Sequence, residues 1–248
     1  MEIEIVRIDQ SNIDDVGLGC LKNNKHEGFN PKKEWLLKRI KEGLVLKVPM
    51  VEGMASGMIE YVPGEKAWRG VSAAGTMFVQ CFWVTANKLL GSGIGSKLLQ
   101  DCIEDSKHSG FDTVSVMTSD KAWMVKKDIF IKHGFEVVQA KERFELLRLG
   151  TANVKFTNWE ENRSSYRGLN LIYSDQCPMF TKSVNDLYQV AFTFGIELNI
   201  IRQQSYLDAQ NAPSGYGVFT LIKDGKMLAD HYISGTRFKN ILKKEYNF

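Results

Sequence analysis

The sequence has few groups that could bind a metal or lock the chain covalently. Its 248 residues hold four cysteines (Cys20, Cys81, Cys102 and Cys177) and four histidines (His26, His108, His133 and His231), all far apart. None has metal-ligand spacing, so a structural metal site is excluded, and dispersed cysteines in a chain of this size favour a reduced, cytoplasmic setting over a disulfide framework. No apolar run reaches the length of a membrane span. The opening MEIEIVRID alternates apolar and charged residues, unlike the basic cap and apolar stretch of a signal peptide. Repeats and low-complexity segments are absent. A strong charge of one sign is absent too: the net charge is +3, with Lys and Arg interleaved with acids, as in KERFE (141–145). That pattern is a solvated surface and excludes a nucleic-acid stripe.

What is present is an ordinary globular composition, 44% hydrophobic and 25% charged, enough for one large domain or two smaller ones. The first part alternates strand and helix patterns. Strands are predicted at 2–8, 44–51, 56–62, 76–84, 113–118, 135–139 and 144–149, and helices at 31–42, 94–109 and 120–133. Residues 151–168 lose periodicity and read as a linker. A second alternating block follows, with strands at 169–174, 197–202, 216–223 and 227–234 and helices at 178–194, 205–211 and 236–244. The pattern predicts two α/β domains, 1–150 and 169–248.

The stretch KLLGSGIGSKLL (88–99) draws attention to phosphate binding. It is not a dinucleotide fingerprint, because counting from Gly91 the third glycine position holds Ser96 and the preceding strand ends too early, near Val84. It is not a Walker loop, which fails at Ser96 and Leu98. It does place glycines at the start of an amphipathic helix, where unpaired N–H groups and a partial positive charge can receive a pyrophosphate. A glycine-rich helix start without a ligand is the alternative.

The order of these elements resembles the GNAT acetyltransferase superfamily. Gly93-Ile94-Gly95 matches the glycines of that family's phosphate loop, Val84 the end of its central strand, and VSVMTS (114–119) and FIKHGFEVV (130–138) its fifth strand and following helix-plus-GF segment. The resemblance covers roughly residues 1–150. It implies acetyl-CoA held by Phe82, Trp83, Val84, Leu89, Leu90, Gly91, Ser92, Gly93, Ile94, Gly95, Ser96, Ser119 and Phe130. Leu90 stands where the family has Gln or Arg, and Phe130 stands where it often has a general-acid tyrosine. The implied chemistry is direct transfer to an amine. A free N–H around Phe82–Val84 would polarise the thioester carbonyl, and a base must deprotonate the acceptor. Glu60, in MIEYVPGEKAWR (58–69), is the first candidate for that base and Glu65 the second; Trp68, Arg69 and Trp83 are candidates to shape the acceptor pocket. An exposed strand carboxylate is the competing reading of Glu60, and plain sheet packing that of Trp83. Cys81, inside the same strand, could carry an acyl group covalently or be an inert small hydrophobe.

In the second half, QCPMF (176–180) follows a strand and opens a helix. It resembles the redox site of the thioredoxin-like fold, and the wider run through APSGYGVFTLIKDGK resembles the YoaP-type domain found fused to GNAT domains. Cys177 is the candidate redox residue, but position 180 holds Phe rather than a second cysteine, and the register of the thioredoxin proline falls on Gly217. The fold expected is therefore a GNAT-type mixed sheet flanked by helices plus a smaller thioredoxin-like α/β domain. The activity expected is acetyl-CoA-dependent N-acetylation of a small-molecule or peptide amine, with no nucleic-acid, membrane or metal partner; a homodimer is left open. Two other readings stand beside it: an acyl-CoA-binding regulatory protein with reduced catalysis, and a thiol redox protein acting through Cys177.

Overall fold

The structure, a computed structural model, describes residues 2–21, 23–84, 93–121 and 123–247. The chain forms two compact units. The first comprises Met1–Lys25, Lys33–Ala67 and Val71–Phe156; the second comprises His26–Lys32, Trp68–Gly70 and Thr157–Phe248.

The first half of the chain opens with β1 (Ile3–Arg7), a single turn of helix α1 (Ile13–Val16) and α2 (Phe29–Ile40). A meander follows: β2 (Val45–Val51), β3 (Met54–Ala55), β4 (Gly57–Pro63), β5 (Val71–Ser72) and β6 (Met77–Val84). Helix α3 (Ile94–His108) then leads to β7 (Val114–Thr118), α4 (Asp128–Lys132), β8 (Glu136–Lys141), β9 (Phe144–Leu149) and β10 (Lys155–Phe156). The main sheet has the order β1-β2-β4-β6-β7-β9-β8, with β3 beside β2, and β5 pairs separately with β10. Its pairs are antiparallel except β6 with β7, which α3 joins as a parallel crossover.

The sequence explains α3 directly. Ile94, Leu98, Leu99, Cys102 and Ser106 recur at helical spacing and are all buried. They close the core over Ile59 and Tyr61 of β4, Met77 and Val79 of β6, and Val114 and Val116 of β7. The helix expected over 120–133 shrinks to the five residues of α4. Side-chain and loop bonds compete with it: Lys121 N–H donates to Ser119 Oγ at 3.1 Å, Ser119 N–H donates to the Val125 carbonyl at 3.2 Å, and Trp123 takes a left-handed φ of 68°.

The second unit contains β11 (Leu169–Tyr173), α5 (Met179–Thr193), β12 (Leu198–Arg202), α6 (Tyr206–Gln210), β13 (Phe219–Lys223), β14 (Lys226–Ala229) and α7 (Gly235–Tyr246). Its sheet order is β12-β11-β13-β14, parallel between β11 and β12 and antiparallel elsewhere. Two strands are shorter than their apolar runs. β13 begins at Phe219 rather than 216 because the Gly217 carbonyl accepts from Gln203 Nε2 at 2.8 Å instead of entering the ladder. β14 stops at Ala229, just before Asp230 pairs with His231 at 2.8 Å and Ser234 caps α7. The aperiodic segment is built into this unit from Thr157 onward. Trp159 is fully buried, Thr157 Oγ1 donates to the Gln210 carbonyl at 2.9 Å and Arg163 Nε to the Pro213 carbonyl at 2.9 Å. Among the described residues no helix is long and apolar enough to cross a membrane, and no cluster of His, Cys, Asp and Glu could hold a metal ion.

Candidate active site

In the middle of the main sheet, two neighbouring strands part. The β6–β7 ladder pairs Met77 with Val114, Phe78 with Ser115 and Val79 with Val116, and ends there. β6 nevertheless runs on to Val84 and β7 to Thr118. Backbone groups along the facing edges of Gln80–Val84 and Met117–Thr118 are thereby released from sheet pairing with each other, and such groups need another partner.

On its other side, β6 stays paired with β4 up to Gly57–Val84, through a bulge. Tyr61 faces Val79 and Glu60 faces Cys81, which leaves Gln80 as the extra residue. The bulge decides which side chains point where. Phe82 and Val84 pack on the α3 side of the sheet with Ile59 and Tyr61. Cys81 and Trp83 register with Glu60 and Met58, on the opposite face.

The start of α3 lies against this parted segment. Gly93 is its N-cap, with a left-handed φ of 85° that favours glycine, and its carbonyl accepts the Lys97 N–H at 2.9 Å. No acidic residue occupies the first turn. A Cβ on Gly95 would stand 2.9 Å from Ile129 Cδ1 of α4, and at ordinary contact distance, 3.4 Å and 3.6 Å, from Phe82 Cζ and Val84 Cγ2 of β6, so the helix start packs against both elements. Ile94 is buried beneath the turn, while Ser96 opens the helix beside it. Leu89, Leu90, Gly91 and Ser92 lie outside the described residues.

Phe130 on α4 is fully buried, edge-on to Phe82 at 5.9 Å between ring centroids and to Phe135 at 5.3 Å. Ser119, just beyond β7, is buried and its Oγ accepts from Arg143 Nη1 at 3.4 Å.

Glu60 is not an exposed strand carboxylate. It has 0% exposure, and its same-face neighbours Leu46, Met58 and Val62 are buried as well, so this face of the sheet is covered too. Gln80 Nε2 donates to Glu60 Oε1 at 2.8 Å. Cys81 is half-buried directly across from Glu60, and Trp83 is 42% exposed two residues further along the same face. Thus the structure brings Glu60, Cys81, Phe82, Trp83, Val84, Gly93, Gly95 and Phe130 to one stretch of β6 and its neighbours. It does not bring Glu65, which accepts the Gly75 N–H at 2.9 Å beyond the far end of β4. Trp68 and Arg69 are buried and belong to the second compact unit, where the Arg69 guanidinium lies 4.8 Å from the Tyr216 ring centroid. Gln80 was missed by the sequence reading; the available signal was one polar amide inside the apolar run MFVQCFWV.

In the second unit, Cys177 precedes α5, and its carbonyl accepts the Phe180 N–H at 3.1 Å. Phe180 is fully buried against Phe219 at 5.0 Å and Tyr216 at 6.3 Å. It is a core residue at the place where a second thiol would be. None of the four cysteines forms a disulfide.

No family model matches the chain. It is 28% identical over 247 residues to a Bacillus subtilis protein named uncharacterized N-acetyltransferase YoaP, covering 96% of this chain and 97% of that protein. Among solved structures, an IAA acetyltransferase from Bacillus cereus is 18% identical with a TM-score of 0.43, covering 60% of this chain and 100% of that one. A PaiA N-acetyltransferase from Thermoplasma acidophilum, solved in complex with coenzyme A, is 16% identical with a TM-score of 0.45, covering 61% and 100%.

Proposed function

We propose that the chain is an acetyl-CoA-dependent N-acetyltransferase of the GNAT type, moving an acetyl group directly to the amine of a small molecule or peptide. The observation that carries the reading is the parting of β6 from β7 after Val79, next to a glycine-started helix. The likeness to an N-acetyltransferase along nearly the whole of both chains supports it.

The residues present suit the cofactor. Among the described residues nothing lies within 4 Å of where a Cβ on Gly93 would stand, and the first N–H groups of α3, whose first turn carries no acid, suit a pyrophosphate. The released edge of Gln80–Val84 offers hydrogen bonds to the pantetheine amides. When bound, acetyl-CoA supplies an activated acyl group. A backbone N–H of the Phe82–Val84 segment would be placed to hydrogen-bond the acyl oxygen and favour the charge that develops there. Glu60 takes the proton from the acceptor amine, which is mostly protonated at neutral pH, directly or through one water. Trp83 presents an aromatic surface to the acceptor on the Glu60 face. Phe130 has no proton to give, so this side chain would not serve as the general acid. Cys81 lines this path beside Glu60.

In this reading the second unit has a thioredoxin-like fold, supported by its β12-β11-β13-β14 order, with Cys177 ahead of α5 and Phe180 three residues on. The protein works in the cytoplasm, without nucleic acid or membrane.

Calorimetric titration with acetyl-CoA tests the cofactor. The native chain binds it and Gly93→Ala binds it more weakly. Equal binding by the two would remove the helix start from the site, and no binding by the native chain would remove the reading.

A further inference from the structure

We infer that Gln80 is a positioning residue for catalysis, whose amide holds the Glu60 carboxylate in the orientation from which it takes the acceptor's proton. The inference rests on the reading of Glu60 as the base.

Three observations meet at this residue. First, both side chains are buried, with Glu60 at 0% and Gln80 at 4% exposure. A carboxylate taken out of water is costly unless hydrogen bonds replace its hydration, and bonds to a charged acceptor are the strong ones. The 2.8 Å bond from Gln80 Nε2 to Glu60 Oε1 is such a bond. Second, Gln80 is the extra residue of the β6 bulge. Val79 and Tyr61 face α3, so simple alternation would turn Cys81 toward α3 and Phe82 and Val84 away from it. The inserted residue reverses this. It puts Gln80 and Cys81 together on the Glu60 face and returns Phe82 and Val84 to the helix. Third, Gln80 immediately follows Val79, the last residue of β6 paired with β7. One residue therefore opens the sheet for the acyl donor, re-aims the strand beyond it and grips the carboxylate beside the opening. A bulge filled by an apolar residue would do the first two and not the third.

The test is a double-mutant cycle on the full chain, reading coenzyme A thiol release from acetyl-CoA with a panel of primary amines and with water alone. Gln80→Met keeps the side chain's length and removes the donor. It is expected to lower kcat by about tenfold or more, with acetyl-CoA binding unchanged. In a Glu60→Gln background the same substitution is expected to cost no more than about twofold further, since what it positions is gone. Gln80→Glu, which replaces the donor by a second carboxylate, is expected to lose at least as much as Gln80→Met. Native kcat in either Gln80 variant overturns the inference, as does a loss of equal size in both backgrounds, which a structural role would give. Full turnover by Glu60→Gln alone would instead overturn Glu60 as the base. A native chain that releases no thiol with any amine or with water would overturn the transferase reading itself.

Discussion

The ring of Phe130 stands edge-on to that of Phe82, with centroids 5.9 Å apart and planes at 61°. Phe82, with Val84, lies against the start of α3, and Phe130 is fully buried on α4. The pair ties α4 to the parted segment of β6. Phe130→Ala is expected to cost about 3–5 kcal/mol of stability. In a cycle with Phe82→Ala, about 0.5–1.5 kcal/mol should appear as coupling between the rings. Urea unfolding of the four proteins measures both, and additive losses would mean that the contact contributes nothing of its own.

The two glycines of the helix start should differ. Gly93 has a φ of 85°, and an alanine there is expected to cost about 1–2 kcal/mol. Gly95 has helical geometry, and among the described residues its added Cβ would meet only Ile129 Cδ1, the far end of a side chain, within 3.0 Å. Gly95→Ala gains helix propensity of up to about 1 kcal/mol, which offsets that adjustment. Thermal unfolding should therefore rank Gly93→Ala well below Gly95→Ala. The reverse order would contradict the left-handed cap.

A polar cluster between α3 and the sheet is expected to contribute to the pH dependence of stability. Burial works against ionised Asp105, but hydrogen bonds from Tyr61 Oη at 2.5 Å and an ion pair with Lys47 Nζ at 3.1 Å outweigh it and hold its carboxyl below the usual range. Burial, with nearby Cys102 and Asp105, pushes the Tyr61 phenol far above its ordinary 10.0. The signs are opposite. Asp105 contributes stability that is present above the unfolded carboxyl's pKa and is lost as pH falls through its lowered folded value. Tyr61 contributes stability that is present below about pH 10 and is lost as pH rises past that. Melting temperature measured against pH should show a shallower acid fall in Asp105→Asn and a shallower alkaline fall in Tyr61→Phe. Unchanged slopes would contradict the assignment.

Cys81 faces Glu60, but the proposed reaction needs no acyl-cysteine. Cys81→Ser is expected to keep turnover within about tenfold of native, and rapid-mixing mass spectrometry should find no acetylated protein. An acetyl group on Cys81 that forms and decays at the rate of turnover would replace direct transfer by a two-step route.

Much of the first unit was legible from periodicity. The run over α3 repeats apolar residues at helical spacing, and 76–84 is a long β-branched and aromatic strand. The glycines at the start of α3 and the phenylalanine at position 130 stood out only through the resemblance to a known family, not through periodicity. Three things could not. Glu60 sits between Ile59 and Tyr61, so alternation assigns it to solvent; that its own face is covered, with Leu46, Met58 and Val62 buried beside it, is a tertiary outcome no local pattern encodes. The amide of Gln80 stands out in the apolar run MFVQCFWV, but neither the bulge nor its pairing with Glu60 follows from that; both emerge only with the register of β4 on β6. Trp68 and Arg69 follow β4 by a few residues yet cluster with residues beyond Thr157, a long-range outcome that no local pattern encodes. The failed helix at 120–133 has a local cause, the Ser119 turn, which outweighs a helical apolar spacing.

The most direct test of the central claim follows both products of transfer at once. The chain is incubated with acetyl-CoA and a pool of primary amines, free thiol is measured by colour and acetylated amines by mass spectrometry, and Glu60→Gln is run alongside. The expected result is one acetylated amine per thiol released by the native chain. Turnover should fall by about 10²–10⁴-fold in Glu60→Gln, while acetyl-CoA binding is retained. Acetyl-CoA left intact by the native chain in the presence of every amine, or thiol release with no acetylated amine, would contradict it.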